Sequence, residues 1–369
     1  MSSRPRGRAV LALLVLVAML ACTSEQPAPA PTPAPEPSVA PTGPAGLRAG
    51  IVLPPASGPN DPQSAQLAAA MRPLQSMLPD EVTQLRPVTP DGPEFVGDLA
   101  RLLVDRGTEL VCLVGADVIR VANQLASRHP ERTFCAVPGA GVERPENVRV
   151  VDVRFEELGH VAGAAAAGAV DDGPVALVVA PDRLGTQRFR AGVRAGVGDT
   201  VLLEWFPQSA EAARTAVEEA IAAEARVLIL DVGWQPSELL ATAHEAGLLL
   251  AGPMTALAGR QFEASSVLAW TIRWELVLGP VVARFADDET DVRDSVGLAD
   301  DVFVVTVGAG ADRGALDTVI TELRDGRRDA APGAVPPPAT ADEDPGASDR
   351  DAGREGTGDP PVEDDDDGA

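Results

Sequence analysis

The sequence has 369 residues, of which 45% are apolar and 23% charged, and this length suffices for one large or two medium-sized domains. Its 55 acidic residues outnumber its 30 basic residues and give a net charge of −25. This charge argues against a nucleic-acid-binding protein, because neutralising phosphates requires a basic surface. Three cysteines and three histidines exclude a dense disulfide scaffold and a cysteine-rich metal site, and we predict no metal and no cofactor.

The N-terminal residues have the features of a bacterial export signal. Several arginines precede an unbroken apolar run at 9–20, which is too short to cross a bilayer as a helix. Ala21 then precedes Cys22, and this order resembles a bacterial lipobox, in which the cysteine is lipidated and becomes the first residue of the mature chain. We predict a lipoprotein signal peptide over 1–22. The alternative is an ordinary secretory signal with an incidental cysteine.

Two further segments are predicted to lie outside any folded domain. The segment 23–46 alternates alanine and proline, which favours extended polyproline II structure, so we interpret it as a stalk between a lipid anchor on Cys22 and an extracytoplasmic domain. The segment 325–369 is rich in proline, glycine and aspartate and carries an aspartate run over 364–367. Low hydrophobicity with high net charge predicts a disordered acidic tail.

Short apolar runs alternate with amphipathic helical patterns between residues 47 and 324. The runs are nearly continuous, which is typical of parallel strands buried on both faces. Strands are predicted at 48–53, 109–114, 132–137, 148–153, 174–179, 200–204, 226–231, 247–251 and 302–307. Helices are predicted at 61–77, 94–106, 117–128, 156–168, 185–196, 209–223, 236–245 and 271–286.

This alternation predicts an α/β fold, but nine strands are too many for one comfortable doubly wound sheet. We therefore predict two doubly wound parallel-sheet lobes with a cleft between them, at the carboxyl ends of the strands. The first lobe is expected over about 47–168 and about 271–300, and the second over about 172–268. The strand and helix of 301–324 could belong to either lobe.

Three groups of residues carry a resemblance to a known family. They are the Pro-Glu-Arg-Thr-Phe, Glu-Asn-Val, Phe-Glu-Glu and Ala-Gly segments at 130–163, the Phe-Arg-Ala-Gly-Val-Arg-Ala-Gly segment at 189–196, and Ser-Ser-Val-Leu at 265–268. Their order and spacing resemble the basic membrane protein family. These are lipoprotein substrate-binding components of ABC transporters, with the type I periplasmic-binding-protein fold.

The resemblance implies a protein without catalytic activity that captures a small solute between its lobes and docks on an ABC permease in the membrane. The sequence contains no nucleophile elbow or paired catalytic histidines, which agrees with the absence of an enzyme activity. The alternative is a sensor of the same fold, which passes ligand occupancy to a membrane kinase or another surface protein.

Many members of the family bind nucleosides, and the resemblance places three candidate ligand residues in the first lobe. Asn60, Asp61 and Gln66 match the family's first-lobe loop, although its aromatic position is not aromatic here. Met254 stands where the family has an aspartate, and Ala269 where it has a lysine. Burying the ribose diol of a nucleoside without hydrogen-bond partners costs free energy. These departures therefore predict a cleft that does not bind nucleosides in the way usual for the family.

Other candidates follow from their positions along the chain. Trp234 comes after the strand at 226–231 and could stack on a planar ligand or pack under its own helix. Asp117 could bind a ligand or cap its helix, and the same two roles are open for Asn60 and Asp61. Gln187 and Arg188 could reach the cleft from the second lobe. The spacing of Trp270 and Trp274 places both side chains on one face at the start of the predicted 271–286 helix. Trp270 could pack in the core there or lie near the ligand.

Cys112 and Cys135 fall on two predicted strands of the first lobe, 109–114 and 132–137. Outside the cytoplasm two such thiols can form a disulfide. A bond between adjacent parallel strands places demands on disulfide geometry, so both the paired and the free state remain open.

Overall fold

The computed structural model describes residues 46–331, except for 59, 140–143 and 288–292. The predicted signal peptide with Cys22, the stalk up to residue 45 and the tail from residue 332 lie outside the described residues. In the part of the chain that is described, no helix is both long enough and apolar enough to span a bilayer.

The described residues form two six-stranded sheets, which confirms the predicted two-lobed α/β fold. The first sheet consists of β1 (Leu47–Val52), β2 (Val82–Val88), β3 (Leu110–Val114), β4 (Thr133–Val137), β5 (Val148–Val153) and β11 (Arg293–Val296). Its spatial order is β11-β5-β4-β3-β1-β2, and its neighbouring strands are parallel.

The second sheet consists of β6 (Val175–Val179), β7 (Leu202–Trp205), β8 (Val227–Asp231), β9 (Leu249–Pro253), β10 (Ser266–Ile272) and β12 (Phe303–Val307). Its order is β12-β10-β9-β8-β6-β7, and only the pair of β10 and β12 is antiparallel. The strand at 302–307, whose lobe the sequence left open, therefore belongs to the second sheet. Central strands such as β3 and β6 are buried along their whole length, as their continuous apolar sequences predicted.

Nine α-helices of the described residues cover the two sheets. They are α1 (Pro62–Met77), α2 (Val96–Asp105), α3 (Val118–Arg128), α4 (Phe155–Gly168), α5 (Thr186–Val197), α6 (Ala210–Ala222), α7 (Pro236–Glu245), α8 (Trp274–Ala286) and α9 (Arg313–Arg324). Every predicted strand and helix is present, with ends that shift by a few residues. The helix predicted from residue 271 begins at Trp274, because 266–272 is strand β10.

The boundary between the lobes differs from the prediction at one place. Helix α4 was expected in the first lobe, but it packs along α5 and contacts β8 and β10 of the second sheet. The cause is a row of glycines on both helices: a Cβ added to Gly159 would lie 2.0 Å from the Phe189 carbonyl oxygen, and one on Gly192 would lie 2.0 Å from the Glu156 carbonyl oxygen. The chain thus leaves the first lobe near residue 154, directly after β5.

Cys112 and Cys135 face each other on β3 and β4 and are joined by a disulfide in the structure. Both residues are fully buried in the core of the first lobe. The bond therefore links two central strands where solvent does not reach it.

Candidate functional site

The carboxyl ends of the strands of both sheets meet between the lobes, and polar contacts join the lobes there. Ser57 Oγ of the first lobe donates to Asp182 Oδ2 of the second at 3.0 Å. The backbone N–H of Leu184 donates to Gln63 Oε1 at 3.3 Å. These contacts come from the loop after β1, the start of α1 and the loop after β6.

A buried ion pair lies at the centre of this junction. Arg183, which is 4% exposed, follows β6 and places Nη1 2.5 Å from Asp61 Oδ1 of the first lobe. Its Nε lies 3.3 Å from Oδ1 of Asp231, the last residue of the neighbouring strand β8. The guanidinium therefore connects two carboxylates that belong to different lobes.

The charge state of this group follows from burial and from its partners. Burial alone would lower the pKa of Arg183, but the carboxylates of Asp231 and Asp61 outweigh burial and raise that pKa above its ordinary value. Burial raises the pKa of Asp231, and the attraction of Arg183 acts against this rise. The guanidinium is therefore charged at every physiological pH.

A cavity of about 460 Å³ adjoins the ion pair. Its walls come from the loops after β1, β2 and β3 and, on the side of the second lobe, from Asp182 and Arg183. The lining residues are Pro54, Pro55, Ala56, Ser57, Asp61, Gln63, Asp91, Gly92, Pro93, Val96, Val114, Gly115, Ala116, Asp117, Val118, Arg120, Val121, Asp182 and Arg183. None of these described lining residues is aromatic.

The exposed charges of the cavity lining are mainly negative. Asp91, Asp117 and Asp182 are exposed, and Arg120 is the exposed cation of the lining. Asp117 has a left-handed backbone (φ 55°), and its side chain does not cap α3. Asp117 thus occupies the N-cap position of α3 without making the side-chain capping hydrogen bond that the sequence left open.

Among the predicted first-lobe residues, only Asp61 and Asp117 lie in the cavity lining. Asp61 also caps α1, since its carboxylate accepts from the backbone N–H of Gln63 at 3.0 Å. Asn60 is exposed in the preceding turn. Gln66 is buried, and its Oε1 accepts from the backbone N–H of Ile272 at 3.2 Å, so its role is to join α1 to the end of β10.

The predicted residues on α5 lie away from the cavity lining. Gln187 is exposed on that helix. Arg188 pairs with Asp152 at the end of β5 and with Glu156 at the start of α4, where the chain passes between the lobes. Burial raises the pKa of Asp152 although Arg188 acts in the opposite direction. This ion pair therefore belongs to the crossing between the lobes.

The predicted aromatic and second-lobe residues are not part of the cavity lining either. Trp234 is half-buried beside Gly58 of the first lobe and packs against the core of the second. Met254 is half-buried, and its N–H donates to the Trp270 carbonyl at 2.7 Å. Trp270 does not begin a helix: it lies on β10, is 2% exposed and packs with Phe189, with ring centroids 5.6 Å apart.

Arg183 and Asp231 were not predicted as site residues. A signal was available, since Asp231 ends a predicted buried strand and Arg183 lies in the loop after another. Charged residues at the carboxyl ends of adjacent parallel strands are placed side by side. Their partner Asp61 is 122 residues from Arg183 in the sequence, and only the fold brings the two together.

Comparison with known proteins identifies the fold. No protein-family model matches the chain, and no curated protein matches it in sequence. An ABC transporter solute-binding protein from Conexibacter woesei DSM 14684 is similar in structure, with a TM-score of 0.56 and 19% identity over 77% of this chain and 98% of that chain. A solute-binding protein of an ABC transporter system from Aeropyrum pernix K1 is also similar, with a TM-score of 0.58 and 15% identity over 75% of this chain and 86% of that chain.

A transcriptional activator of the comK gene from Bacillus halodurans is also similar, with a TM-score of 0.61 and 13% identity over 77% of this chain and 99% of that chain. Together these similarities establish a fold of the type I periplasmic-binding-protein class. The same fold thus occurs in proteins described as solute-binding components and in one described as a transcriptional activator.

Proposed function

We propose that this protein is the lipid-anchored, extracytoplasmic substrate-binding protein of an ABC importer. The observation that carries the proposal is the cavity of about 460 Å³ whose walls come from both lobes. A solute that contacts both walls makes more contacts when the lobes are closed than when they are open. This difference in contacts couples solute binding to hinge closure. The similarity in fold to solute-binding proteins of ABC transporters supports the same role.

The protein would bind its solute without transforming it. The titratable groups of the junction pair with one another, as Arg183 does with Asp61 and Asp231. The closed lobes would then present the solute to a permease in the membrane.

The chemistry of the cavity favours a small polar solute with a positive charge. Three exposed carboxylates, those of Asp91, Asp117 and Asp182, face one exposed cation, Arg120. Gln63 adds an amide whose oxygen already accepts from Leu184. A nucleoside, which the family resemblance implies, would require a stacking ring, and the described lining offers none.

The membrane anchor is the part of the proposal that rests on sequence alone. Cys22 follows a short apolar run and a small residue, as in a bacterial lipobox. Mass spectrometry of the chain extracted from membranes tests the anchor. We expect a mature chain that begins at Cys22 and carries acyl groups, and an unmodified N-terminus would contradict it.

A sensor is the second candidate function. It is favoured by the departures from the family's ligand residues, such as Met254 in place of aspartate, and by the similarity in fold to a transcriptional activator. Uptake of a bound solute by cells that lack this protein separates the two functions. An importer component is required for uptake, whereas a sensor is not.

The binding function itself is tested by thermal unfolding of the mature chain with a panel of solutes. The panel contains diamines, guanidino compounds, amino acids, sugars and nucleosides. A solute that binds only the folded state adds about 2.7 kcal/mol at 100 times its Kd, which is readily detected as a rise in Tm. We expect the largest rise with a cationic solute, and an unchanged Tm for the entire panel would contradict the proposal.

A further inference from the structure

We propose that Asp61 and Asp231 form a guanidinium-binding site between the lobes, and that Arg183 fills this site as a tethered ligand that holds the lobes together. The inference goes beyond the proposed function, since it concerns which group of the protein closes the cleft and not which solute enters the cavity.

The receiving carboxylate is positioned by the first lobe itself. Asp61 Oδ1 accepts from the backbone N–H of Gln63 at 3.0 Å, and Oδ2 accepts from Ser64 Oγ at 2.8 Å and from the backbone N–H of Ser57 at 3.2 Å. Its side chain is 3% exposed. Arg183 thus meets an acceptor whose direction is already fixed, so little conformational freedom is lost when the contact forms.

The second lobe positions the guanidinium in the same way. Asp231 lies at the end of β8, adjacent to β6, and its Oδ1 is 3.3 Å from Arg183 Nε. The Nη1 group of the same side chain then reaches Asp61 at 2.5 Å. Two nitrogens of one planar group therefore contact two carboxylates, an arrangement that an ammonium group, with its single charged nitrogen, does not reproduce.

The negative charges of Asp61 and Asp231 make their contact specific for a cation such as the Arg183 guanidinium. The buried carboxylate of Asp61 and the half-buried carboxylate of Asp231 contact a single guanidinium, and the burial of Arg183 and Asp61 leaves little water to replace it. Removing Arg183 would leave like charges close together in a poorly solvated place, and these repel. The lobes would then be expected to separate at this point, where solvent can reach the carboxylates.

A glycine gives the lobes room to approach at the same place. A Cβ added to Gly233, in the loop after β8, would lie 2.4 Å from Ser57 Cβ of the first lobe and 3.3 Å from Arg183 Nη1. The loop thus lies directly against Ser57 and the guanidinium. The close contact of the two lobes therefore depends on the glycine at position 233 as well as on the ion pair.

The test measures hydrogen exchange of two backbone amides that bond across the lobes, Leu184 N–H to Gln63 and Ile272 N–H to Gln66. The mature chain is compared with Arg183→Ala and with a control, Arg190→Ala, whose ion pair to Glu204 lies within the second lobe. We expect exchange of both amides to rise by about tenfold or more in Arg183→Ala and to stay unchanged in the control.

Chemical rescue then tests the identity of the group. Millimolar methylguanidinium should restore slow exchange in Arg183→Ala, and methylammonium of the same charge should not. Asp61→Asn keeps an oxygen for the cap at Gln63 but removes the charge and the second acceptor oxygen, so it should raise exchange without any rescue. Unchanged exchange in both variants, or equal rescue by the two cations, would overturn the inference.

Two further outcomes are also decisive. Loss of amide protection throughout both sheets in both variants would make the ion pair a requirement for folding and would overturn its role in closure. Solute binding is measured separately on the same variants. If the protein binds its solute and Arg183→Ala does not change amide exchange, the proposed function stands and the inference about Arg183 is overturned.

Discussion

Acidic residues near the interlobe cleft have different roles according to their depth. Asp61 is buried and bonded by its own helix and by Arg183, whereas Asp117 is exposed in the cavity lining and does not cap its helix. The sequence placed both residues at helix starts after predicted strands and left binding and capping open for both. Their separate roles depend on solvent exposure and on partners distant in sequence, which the local pattern does not contain.

Asp117→Asn is expected to weaken the binding of a cationic solute by about ten- to hundredfold, because a charge-assisted contact contributes about 1.5–3 kcal/mol. Asparagine tolerates the left-handed backbone at this position, so the stability of the protein should be preserved. Isothermal titration measures the change. Asp199→Asn, an exposed position outside the cavity lining, is the matched control, and equal affinities for the two variants would refute the role of Asp117.

At the scale of elements, the contact of α4 with α5 depends on glycines that let the two backbones touch. A Cβ on Gly192 would lie 2.0 Å from the Glu156 carbonyl oxygen, so the helices would have to separate. Gly168, the last residue of α4, has no atom within 4 Å of an added Cβ. The two positions therefore offer opposite outcomes for the same substitution.

Gly192→Ala is expected to lower the free energy of unfolding by about 1–3 kcal/mol through overpacking. Gly168→Ala should leave it unchanged or raise it by up to about 1 kcal/mol, because alanine is the better helix former. Urea denaturation of the two variants measures the difference. Equal stability of both would show that the helices can move apart without cost.

A second element contact ties the chain beyond α9 to α4. His160 is buried on α4, and its Nδ1 lies 3.0 Å from the carbonyl oxygen of Ala330, which is also buried. Burial lowers the pKa of His160 below its ordinary value of 6.5, while the Ala330 carbonyl and Asp329 act in the opposite direction and Arg328 lowers it further. The folded protein therefore prefers the neutral imidazole.

Because the pKa of His160 is lower in the folded protein than in the unfolded chain, the unfolded chain takes up a proton first as the pH falls. The contribution of His160 to stability is therefore complete above the ordinary pKa and is lost as the pH falls from that value towards the pKa of the folded state. We expect the Tm of the protein to fall more than that of His160→Asn between about pH 7.5 and about pH 5.5. Asparagine can still donate to Ala330 but does not titrate. Parallel Tm curves for the two proteins would exclude His160 as the cause.

The sequence predicted the strands well where they contain an apolar run and missed those whose sequences are polar. Nine strands were predicted from their apolar runs. The edge strands β2 and β11 were missed because their sequences, VTQLRPV and RDSV, are polar, and β10 was partly read as the following helix. The other two edge strands, β7 and β12, were predicted because their sequences, LLEW and FVVTV, are more apolar.

At the scale of the whole molecule, two lobes and a cleft were predictable from the number and alternation of elements. The lining of the cleft was not, because it depends on which loops meet across the lobes. Of the predicted residues, Asp61 and Asp117 lie in the cavity lining, Trp234, Met254 and Trp270 lie outside it, and Arg183 was not predicted. Loop positions at the carboxyl ends of strands identify candidates, and only the packing of the lobes selects among them.

Binding of a solute in the interlobe cavity is tested by a pair of matched tryptophan substitutions. Ala116 is an exposed residue of the cavity lining, and Ala212 is an exposed residue of a groove of about 510 Å³ on the surface of the second lobe. A bulky side chain should fill either space without disturbing the core. The two variants thus differ only in which space is filled.

The measurement is isothermal titration of the mature chain, Ala116→Trp and Ala212→Trp with the solute that gives the largest rise in Tm. The expected result is that Ala116→Trp loses at least about tenfold in affinity, equivalent to about 1.4 kcal/mol, while Ala212→Trp binds like the unaltered protein. Unchanged binding by Ala116→Trp, or loss of binding in Ala212→Trp alone, would contradict it.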